Sequence, residues 1–218
     1  MEISFLTIFP KIFDCYLNES ILKRAQKKKL IKFNIVNIRD FATDKHKTVD
    51  DKPYGGGPGM ILKIEPIFLA LKSLKLKSRI KSQKSRIVLL SAKGKTFDQK
   101  MAYRLAKYNH LIFICGRYEG VDERVAKYLA DEEISIGNYI LTGGELPAMV
   151  IADAITRLIP GVIRPESLKE ESFSKLKTKF KEYPQYTRPE NFMGWKVPKI
   201  LLSGNHKKIN EWRKKHSK

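Results

Sequence analysis

Five short apolar runs alternate with helix-like segments through the first 160 residues, and this alternation restricts the fold more than any other feature. The apolar runs predict strands, and the segments between them have the apolar spacing of helices. Strands separated by helices of about ten residues or more indicate βαβ units around a mostly parallel sheet, an α/β fold. The predicted strands are Ile3–Ile8, Phe33–Ile38, Ile87–Leu90, Leu111–Ile114 and Ile134–Ile140, and the predicted helices are Lys11–Lys29, Glu65–Leu76, Phe97–Lys107, Val121–Leu129 and Leu146–Leu158.

Three glycine-rich loops interrupt this pattern. Gly55–Gly59 follows an extended basic segment, Gly116–Gly120 follows the fourth predicted strand, and Gly143–Gly144 follows the fifth. Because glycine lacks a Cβ, backbone groups in such loops can approach a flat heterocycle closely. Ligands of parallel sheets bind at the carboxyl ends of strands, where the second and third loops fall. One glycine turn alone merely reverses a chain, but three in one small chain predict a shared ligand site.

The charge of the chain indicates a polyanionic partner. Its formal net charge is +20, from 43 Lys and Arg against 23 Asp and Glu, which favours nucleic acid, although lysine enrichment can also reflect base composition. No run approaches the roughly 18 apolar residues of a membrane span. The start Met1-Glu2-Ile3-Ser4 also lacks the basic region of a signal peptide, so we expect a cytoplasmic protein without a membrane partner.

Several common chemistries are excluded by missing residues. Gly94-Lys95-Thr96 resembles the end of a phosphate-binding P-loop, but that motif needs a glycine where Leu89 stands. No G-x-G-x-x-G follows a strand, so nicotinamide chemistry is not expected. The four histidines are scattered and only two cysteines occur, so no metal site is expected; Cys15 and Cys115 are each predicted to be small buried side chains.

The pattern changes near Pro160. Residues 160–172 are predicted to be an extended linker, and residues 173–218 a basic, aromatic-rich tail that ends in a helix near Lys207–Lys215. The segment Lys72–Arg86 contains seven Lys or Arg and no acidic residue, which is typical of a solvated linker or of a nucleic-acid contact.

Four blocks of the chain, in order, carry a resemblance to a known family. They are Thr48-Val49-Asp50-Asp51-Lys52-Pro53-Tyr54-Gly55-Gly56-Gly57-Pro58-Gly59-Met60, Cys115-Gly116-Arg117-Tyr118-Glu119-Gly120-Val121-Asp122-Glu123-Arg124, Ser135-Ile136-Gly137-Asn138-Tyr139-Ile140-Leu141-Thr142-Gly143-Gly144-Glu145-Leu146-Pro147, and Leu202-Ser203-Gly204-Asn205-His206. Together they closely resemble the bacterial tRNA (guanine-N1)-methyltransferases, the TrmD family of the SPOUT superfamily. The likeness extends over nearly the whole chain.

The resemblance implies a SPOUT-type, mostly parallel sheet with helices and a deep C-terminal trefoil knot, plus a small, shortened helical C-terminal domain. It further implies an S-adenosylmethionine-binding catalytic domain in residues 1–159, the interdomain linker in 160–172, and a basic tRNA-binding domain in 173–218. The partners that it implies are tRNA and a second copy of the chain, in a homodimer with the active site at the subunit interface.

The resemblance also implies the reaction, in which a methyl group passes from S-adenosyl-L-methionine to N1 of the guanosine immediately 3′ of the anticodon, position 37. Asp50, the loop Gly55, Gly56, Gly57, Pro58 and Gly59, and the catalytic Glu119 are expected near the target guanine. A divalent ion such as Mg²⁺ is neither required nor excluded. The expected cofactor contacts are Leu90, Ser91, Gly116, Ile136, Gly137, Asn138, Tyr139, Ile140, Leu141, Gly143 and Gly144.

Two catalytic residues follow from the family motif and the chemistry of guanine. N1 carries a hydrogen, so a base must remove that proton while negative charge develops on O6. Arg157 matches the family arginine expected to stabilise O6, a role that suits a permanently charged fork of donors. The family base is an aspartate; Glu171 stands at that position here, with Glu170 as an alternative. Asn138 also departs from the family, which carries an acid there.

The end of the chain keeps other interpretations open. Family members usually continue a few dozen residues beyond the Ser203–His206 block, so an RNA-binding protein of the same fold with weakened or lost catalysis is an alternative function. A methyltransferase for another RNA is a second one. Tyr183, Tyr186 and Trp195 could stack on bases, but for Trp195 and Trp212 packing in a small core is favoured.

Overall fold

Five parallel strands form the central sheet of the computed structural model, which describes residues 1–77, 84–173 and 182–217. Their spatial order is β2-β1-β6-β5-β7. Two short antiparallel pairs, β3 with β4 and β8 with β9, lie outside this sheet. The strands are β1 (Glu2–Thr7), β2 (Lys32–Asn37), β3 (Asp50–Asp51), β4 (Ile61–Leu62), β5 (Ser85–Thr96), β6 (His110–Cys115), β7 (Glu132–Ser135), β8 (Asn191–Phe192) and β9 (Trp195–Lys196).

Helices cover both faces of the sheet. The α-helices are α1 (Asp14–Leu17), α2 (Ser20–Lys27), α3 (Ile64–Lys77), α4 (Gln99–Leu105), α5 (Glu145–Thr156), α6 (Pro165–Glu170), α7 (Lys199–Leu202) and α8 (His206–His216). Pro10–Phe13 and Ile38–Phe41 are 3-10 helices, and Val125–Leu129 is a single π-helical turn. The described chain divides into two units, Met1–Ile163 and Arg164–Lys218.

Alternation along the strands builds the core of the first unit as two apolar layers. Phe5 and Phe113 point to the layer that contains α2, α4 and α5. Leu6 and Ile112 point to the opposite layer, beneath α3. Because neighbouring side chains of a strand face opposite sides of the sheet, continuous apolar runs are what a strand buried on both faces requires. The α/β fold with a mostly parallel sheet, predicted from the sequence, is confirmed.

Several boundaries differ from the prediction. The fifth strand ends at Ser135 rather than Ile140, because Gly137 begins an irregular loop whose turn is closed by the Ser135 hydroxyl. β5 continues past Leu90 to Thr96, with a shift in its register against β7 between Leu90 and Lys95. The predicted Val121–Leu129 helix is only the π-helical turn.

The predicted linker and basic segment also differ from the structure. Residues 160–172 are not wholly extended, since they contain α6, which begins at Pro165, where proline's fixed φ favours a helix start. Part of the Lys72–Arg86 segment belongs to α3 and part to β5; residues 78–83 lie outside the described residues. Cys15 is exposed rather than buried, whereas Cys115 is buried as predicted.

In the second unit, aromatic contacts hold α8 against the preceding chain. Trp212 stacks on His216 at 4.1 Å between ring centroids and meets Tyr186 edge-on at 6.4 Å. The guanidinium of Arg213 lies 4.8 Å from the centre of the Tyr183 ring. Trp212 therefore packs, as favoured from the sequence, while the same expectation for Trp195 is wrong, because that side chain is 74% exposed.

Candidate active site

A cavity of about 320 Å³ opens at the carboxyl ends of β5, β6 and β7. Three segments form it: the irregular part of β5, the loop after β6, and the loop between β7 and α5. This is the edge at which parallel sheets bind their ligands. The lining residues are 89–93, 116–121, 123, 126, 133–137, 139–144 and 147.

The cavity gathers nearly all of the predicted cofactor residues. Asn138 is the exception, since it lies exposed in the β7–α5 loop and is not part of the lining. Glu119 contributes to the same wall as the glycine loop after β6. The residues brought together are Leu90, Ser91, Gly116, Ile136, Gly137, Tyr139, Ile140, Leu141, Gly143 and Gly144, and their role in cofactor binding stays a prediction.

Gly143 and Gly144 pack closely against other protein atoms, whereas the sequence predicts that they allow the backbone to approach a ligand. A Cβ on Gly144 would lie 2.8 Å from the Cα of Cys115, closer than folded proteins tolerate. The Gly144 amide donates to the Gly116 carbonyl at 2.9 Å, so the two loops that form the cavity walls are joined backbone to backbone. A Cβ on Gly143 would lie 2.3 Å from Nε of Arg117. The missing side chains therefore bring the loops together, and the cavity results from that approach.

A buried ion pair, which the sequence reasoning missed, fixes this junction. Arg117 Nε donates to Glu145 Oε2 at 2.9 Å, and the Glu145 side chain is only 1% exposed. The other carboxylate oxygen accepts from the Thr7 hydroxyl at 2.7 Å. Arg117 Nη1 donates to the Thr142 carbonyl at 3.2 Å, and the guanidinium lies 4.7 Å from the centre of the Phe9 ring. Arg117 and Glu145 both belong to motif blocks of the sequence. The acidic Glu145 at the first position of the apolar helix α5 is the sequence feature that could have indicated the ion pair.

The same junction makes Cys115 unreactive. Complete burial raises the pKa of its thiol well above the ordinary value; the neighbouring Glu145 carboxylate adds to the rise and Arg117 opposes it. Since the thiolate is the nucleophilic form of cysteine, this side chain acts as a small apolar group beneath the cavity.

The predicted substrate loop lies against Glu119. A Cβ on Gly59 would lie 2.6 Å from Cγ of Glu119, and Gly59 has a φ of +76°, which favours glycine. The Glu119 amide donates to the Met60 carbonyl at 3.0 Å, and the Leu62 amide donates to the Gly120 carbonyl at 3.0 Å. Asp50 is placed nearby through β3, where it pairs with Leu62. Gly59 thus contacts Glu119, which lines the cavity, and Asp50 is connected to the same loop only through Leu62.

The two remaining catalytic candidates lie in different units. Arg157 ends α5 in the first unit, is partly exposed, and is not among the residues that line the cavity. Glu171 is the residue at which α6 ends in the second unit. Their assigned roles stay predictions.

Within residues 1–77, 84–173 and 182–217, no group of three or more His, Cys, Asp or Glu side chains is arranged to hold a metal ion. Nor does any helix there combine the length and apolar character that a membrane crossing needs.

Comparison with known proteins decides the family. The model of the family described as tRNA (guanine-1)-methyltransferase TrmD matches residues 1–218, the whole chain. The chain belongs to the TrmD family. The resemblance seen in the four sequence blocks is therefore confirmed, and the geometry described above is that of a TrmD-family member.

Curated relatives agree with this membership. A tRNA (guanine-N(1)-)-methyltransferase of Carboxydothermus hydrogenoformans is 56% identical over 218 residues, covering 100% of this chain and 83% of the relative. One of Mycoplasmopsis synoviae is 55% identical over 99% of this chain and 91% of its own length. One of Bacillus subtilis is 52% identical over 100% of this chain and 87% of its own length.

Proposed function

We propose that the protein methylates N1 of the guanosine at position 37 of tRNA, immediately 3′ of the anticodon, with S-adenosyl-L-methionine as methyl donor. The observation that carries the proposal is the cavity at the carboxyl ends of β5, β6 and β7, together with the docking of the Gly59 loop on Glu119 at its edge. Membership of the TrmD family supports the same reaction.

The cavity residues suit S-adenosylmethionine. Leu90, Ile136 and Leu141 offer apolar surface for an adenine ring, and the loops after β6 and β7 offer backbone amides and carbonyls for its polar edges. A Cβ on Gly116 would make ordinary van der Waals contacts, with Val121 Cγ1 at 3.6 Å and the Leu90 carbonyl oxygen at 3.7 Å, so protein atoms do not crowd this position of the cavity wall. When bound, the cofactor supplies a methyl group activated by a sulfonium.

Glu119 and the Gly59 loop position the guanine. Their contact fixes the loop backbone beside a carboxylate, and carboxylates accept hydrogen bonds from the N–H groups of a base edge. Asp50, held by its pairing with Leu62, extends the same polar edge.

Proton removal is assigned to Glu171 and stabilisation of O6 to Arg157. As N1 loses its proton, negative charge develops on O6, and a permanently charged guanidinium is suited to that oxygen. The Glu171 carboxylate accepts the N1 proton as general base. A glutamate is one C–C bond, about 1.5 Å, longer than the family aspartate, so its backbone must lie correspondingly farther from the guanine.

A homodimer is proposed from the surface of α5. Leu146 and Val150 are 55% and 48% exposed, and Asp153 and Arg157 continue the same stripe along the helix. The Tyr16 hydroxyl donates to Asp153, a bond that together with partial burial raises the pKa of Tyr16 to about 12. A second copy covering this stripe would also meet Arg157, and we therefore infer that catalysis takes place at the subunit interface.

Transfer of labelled methyl from S-adenosylmethionine to an unmodified tRNA transcript tests the proposal. We expect incorporation into a transcript with guanine at position 37 and none into a matched transcript with adenine there. Parallel reactions with Mg²⁺ and with EDTA measure any divalent-ion requirement. Equal labelling of both transcripts would assign the activity to another nucleotide, and no labelling of either, with tRNA still bound, would favour an RNA-binding protein without catalysis.

A further inference from the structure

The β8–β9 hairpin presents apolar side chains to solvent. Phe192, Met193 and Trp195 are 54%, 81% and 74% exposed. Its turn residues, Met193 and Gly194, both have positive φ, which is the geometry of a tight two-residue hairpin. Hydrogen bonds within the segment hold it, since the Gly194 amide donates to Asn191 Oδ1 at 3.1 Å and the Val197 amide to the Glu190 carbonyl at 2.9 Å. The hairpin therefore keeps its shape without burying its rings.

The two aromatic rings of the hairpin form a pair. Phe192 and Trp195 are directly opposite in the strand register, with ring centroids 6.0 Å apart and planes inclined by 53°. Trp212, the other tryptophan, is used differently, because it packs within the second unit on His216 and Tyr186. The indole of Trp195 thus retains a face open to a planar ligand.

Charge and size indicate which ligand fits. Residues 182–217 contain eight Lys or Arg and three Glu, so a polyanion is attracted to this part of the chain. A stable protein interface buries about 1,200 Å² or more in total, which a tip of three side chains does not provide alone. Stacking of a single base on an aromatic ring contributes about 1–3 kcal/mol without further surface.

We propose that the Phe192–Trp195 pair is a stacking platform for an unpaired base of tRNA. This inference rests on the proposed function, in that tRNA is the RNA bound. Unpaired bases of RNA loops are splayed out and stack on aromatic side chains in this manner. The platform adds base contact to the phosphate contacts expected of the neighbouring basic residues.

The first measurement uses the two tryptophans of the chain. In a Trp212→Phe variant Trp195 is the sole indole, and titration with an unmodified tRNA transcript should quench its fluorescence to saturation. The second measurement, which does not require that variant, is tRNA affinity by filter binding. Trp195→Ala should weaken affinity by about 5- to 150-fold, the range that corresponds to the stacking energy. The slope of log affinity against log salt should stay unchanged, because no phosphate contact is lost.

Matched controls separate stacking from other effects. Trp195→Phe keeps an aromatic face and should retain most of the affinity, whereas Phe68→Ala removes a comparably exposed ring from α3 and should have no effect. Circular dichroism must show the same melting temperature for the variants. Unchanged affinity of Trp195→Ala would overturn the proposal, as would sedimentation showing that this variant loses self-association while its affinity for tRNA is retained.

The test of the stacking platform and the test of the proposed methyltransferase function can fail independently of each other. An unsubstituted protein that binds tRNA through Trp195 but transfers no methyl group refutes the methyltransferase proposal and leaves the platform. One that methylates position 37 with unchanged affinity in Trp195→Ala refutes only the platform.

Discussion

Among single residues, Arg117 and Glu145 connect the segments that form the candidate site. Their buried ion pair joins the loop after β6 to the start of α5, and Arg117 also holds the Thr142 carbonyl. Because a guanidinium donates along several fixed directions and an ammonium does not, lysine cannot reproduce both contacts.

We therefore expect Arg117→Lys to weaken S-adenosylmethionine binding by about 10-fold or more, since hydrogen bonds to charged groups contribute about 1.5–3 kcal/mol each. Isothermal calorimetry provides the measurement. Arg104→Lys is a matched control, because Arg104 forms a bidentate ion pair with Glu132. Glu132 lies at the amino end of β7, whereas the cavity opens at its carboxyl end. Equal losses in both variants would mean that the Arg117 pair only stabilises the fold.

The role of Glu171 is tested by changing its chemistry and its length separately. Glu171→Gln should lower methyl transfer by at least about 100-fold with little change in tRNA affinity, because the amide cannot accept the N1 proton. The methyl-transfer rate of Glu171→Asp then shows whether the site is fitted to the longer side chain of glutamate. Near-normal single-turnover rates in Glu171→Gln would exclude this residue as the base and direct attention to Glu170.

His110 predicts a pH dependence of stability. It is 5% exposed, its Nε2 lies 2.8 Å from the Ser4 hydroxyl, and burial lowers the pKa of its ring; the nearby Glu2 opposes this and Lys32 adds to it. In the unfolded chain the pKa of the His110 ring has its ordinary value near 6.5. Just below that pH the ring binds a proton in the unfolded chain but not in the folded one. Stability is therefore full above that pH and is lost as pH falls below it.

Urea unfolding at pH 8 and pH 5.5 measures this effect. His110→Gln should reduce the difference in unfolding free energy between the two pH values, because the titrating ring is gone. His46→Gln, at an exposed position, is the control and should leave the difference as in the unsubstituted protein. If His110→Gln and His46→Gln behave alike, the loss of stability in acid arises from other groups.

At the scale of elements, α8 combines a packed face with a charged one. Trp212 and His216 pack, while Lys207, Lys208 and Lys214 are exposed. Its Asn205 cap accepts from the Lys208 amide at 3.1 Å, so the helix start does not depend on RNA.

Removal of this charge should flatten the salt dependence of tRNA binding. Each phosphate contact contributes about 0.7–0.9 to the slope of log affinity against log salt. Replacing Lys207, Lys208, Arg213, Lys214 and Lys215 by Gln should reduce the slope by about two units, if about half of them face the RNA. Affinity for S-adenosylmethionine should not change. An unaltered slope would show that the charge of α8 is merely solvated.

At the scale of the whole molecule, a site shared between subunits makes a distinctive prediction. Gly116→Val fills the cavity without backbone strain, since Gly116 does not have a positive φ, and Glu171→Gln removes the base. Each variant alone should be inactive. If one subunit provides the cavity and the other provides Glu171, mixing the two should restore one complete site per heterodimer.

Methyl transfer by the mixture, after subunit exchange has been verified by mass spectrometry of tagged chains, measures the recovery. Mixing each variant with a tagged copy of itself is the control. Exchange without recovered activity would mean that each chain completes its own site.

The five strands of the central sheet, the α/β class, the glycine loops at the carboxyl ends of β6 and β7, and the family could all be predicted from the sequence, although the end of the fifth strand could not. These features are local: a buried strand needs a continuous apolar run whatever surrounds it, and a motif block can be recognised without its neighbours. For the same reason Glu119 and the cavity-lining residues could be chosen before any contact was known.

The contacts between these segments depend on the three-dimensional fold and could not be predicted from the sequence. The hydrogen bond from Thr7 to Glu145 joins residues 138 positions apart, and no sequence period reports such a pair. The space left by Gly143 is filled by Arg117, and the space beside Gly59 by Glu119, because strand order brings their loops together. The exposure of Trp195 could not be predicted either, because an indole can lie in a core or at a surface and only the surrounding contacts determine which.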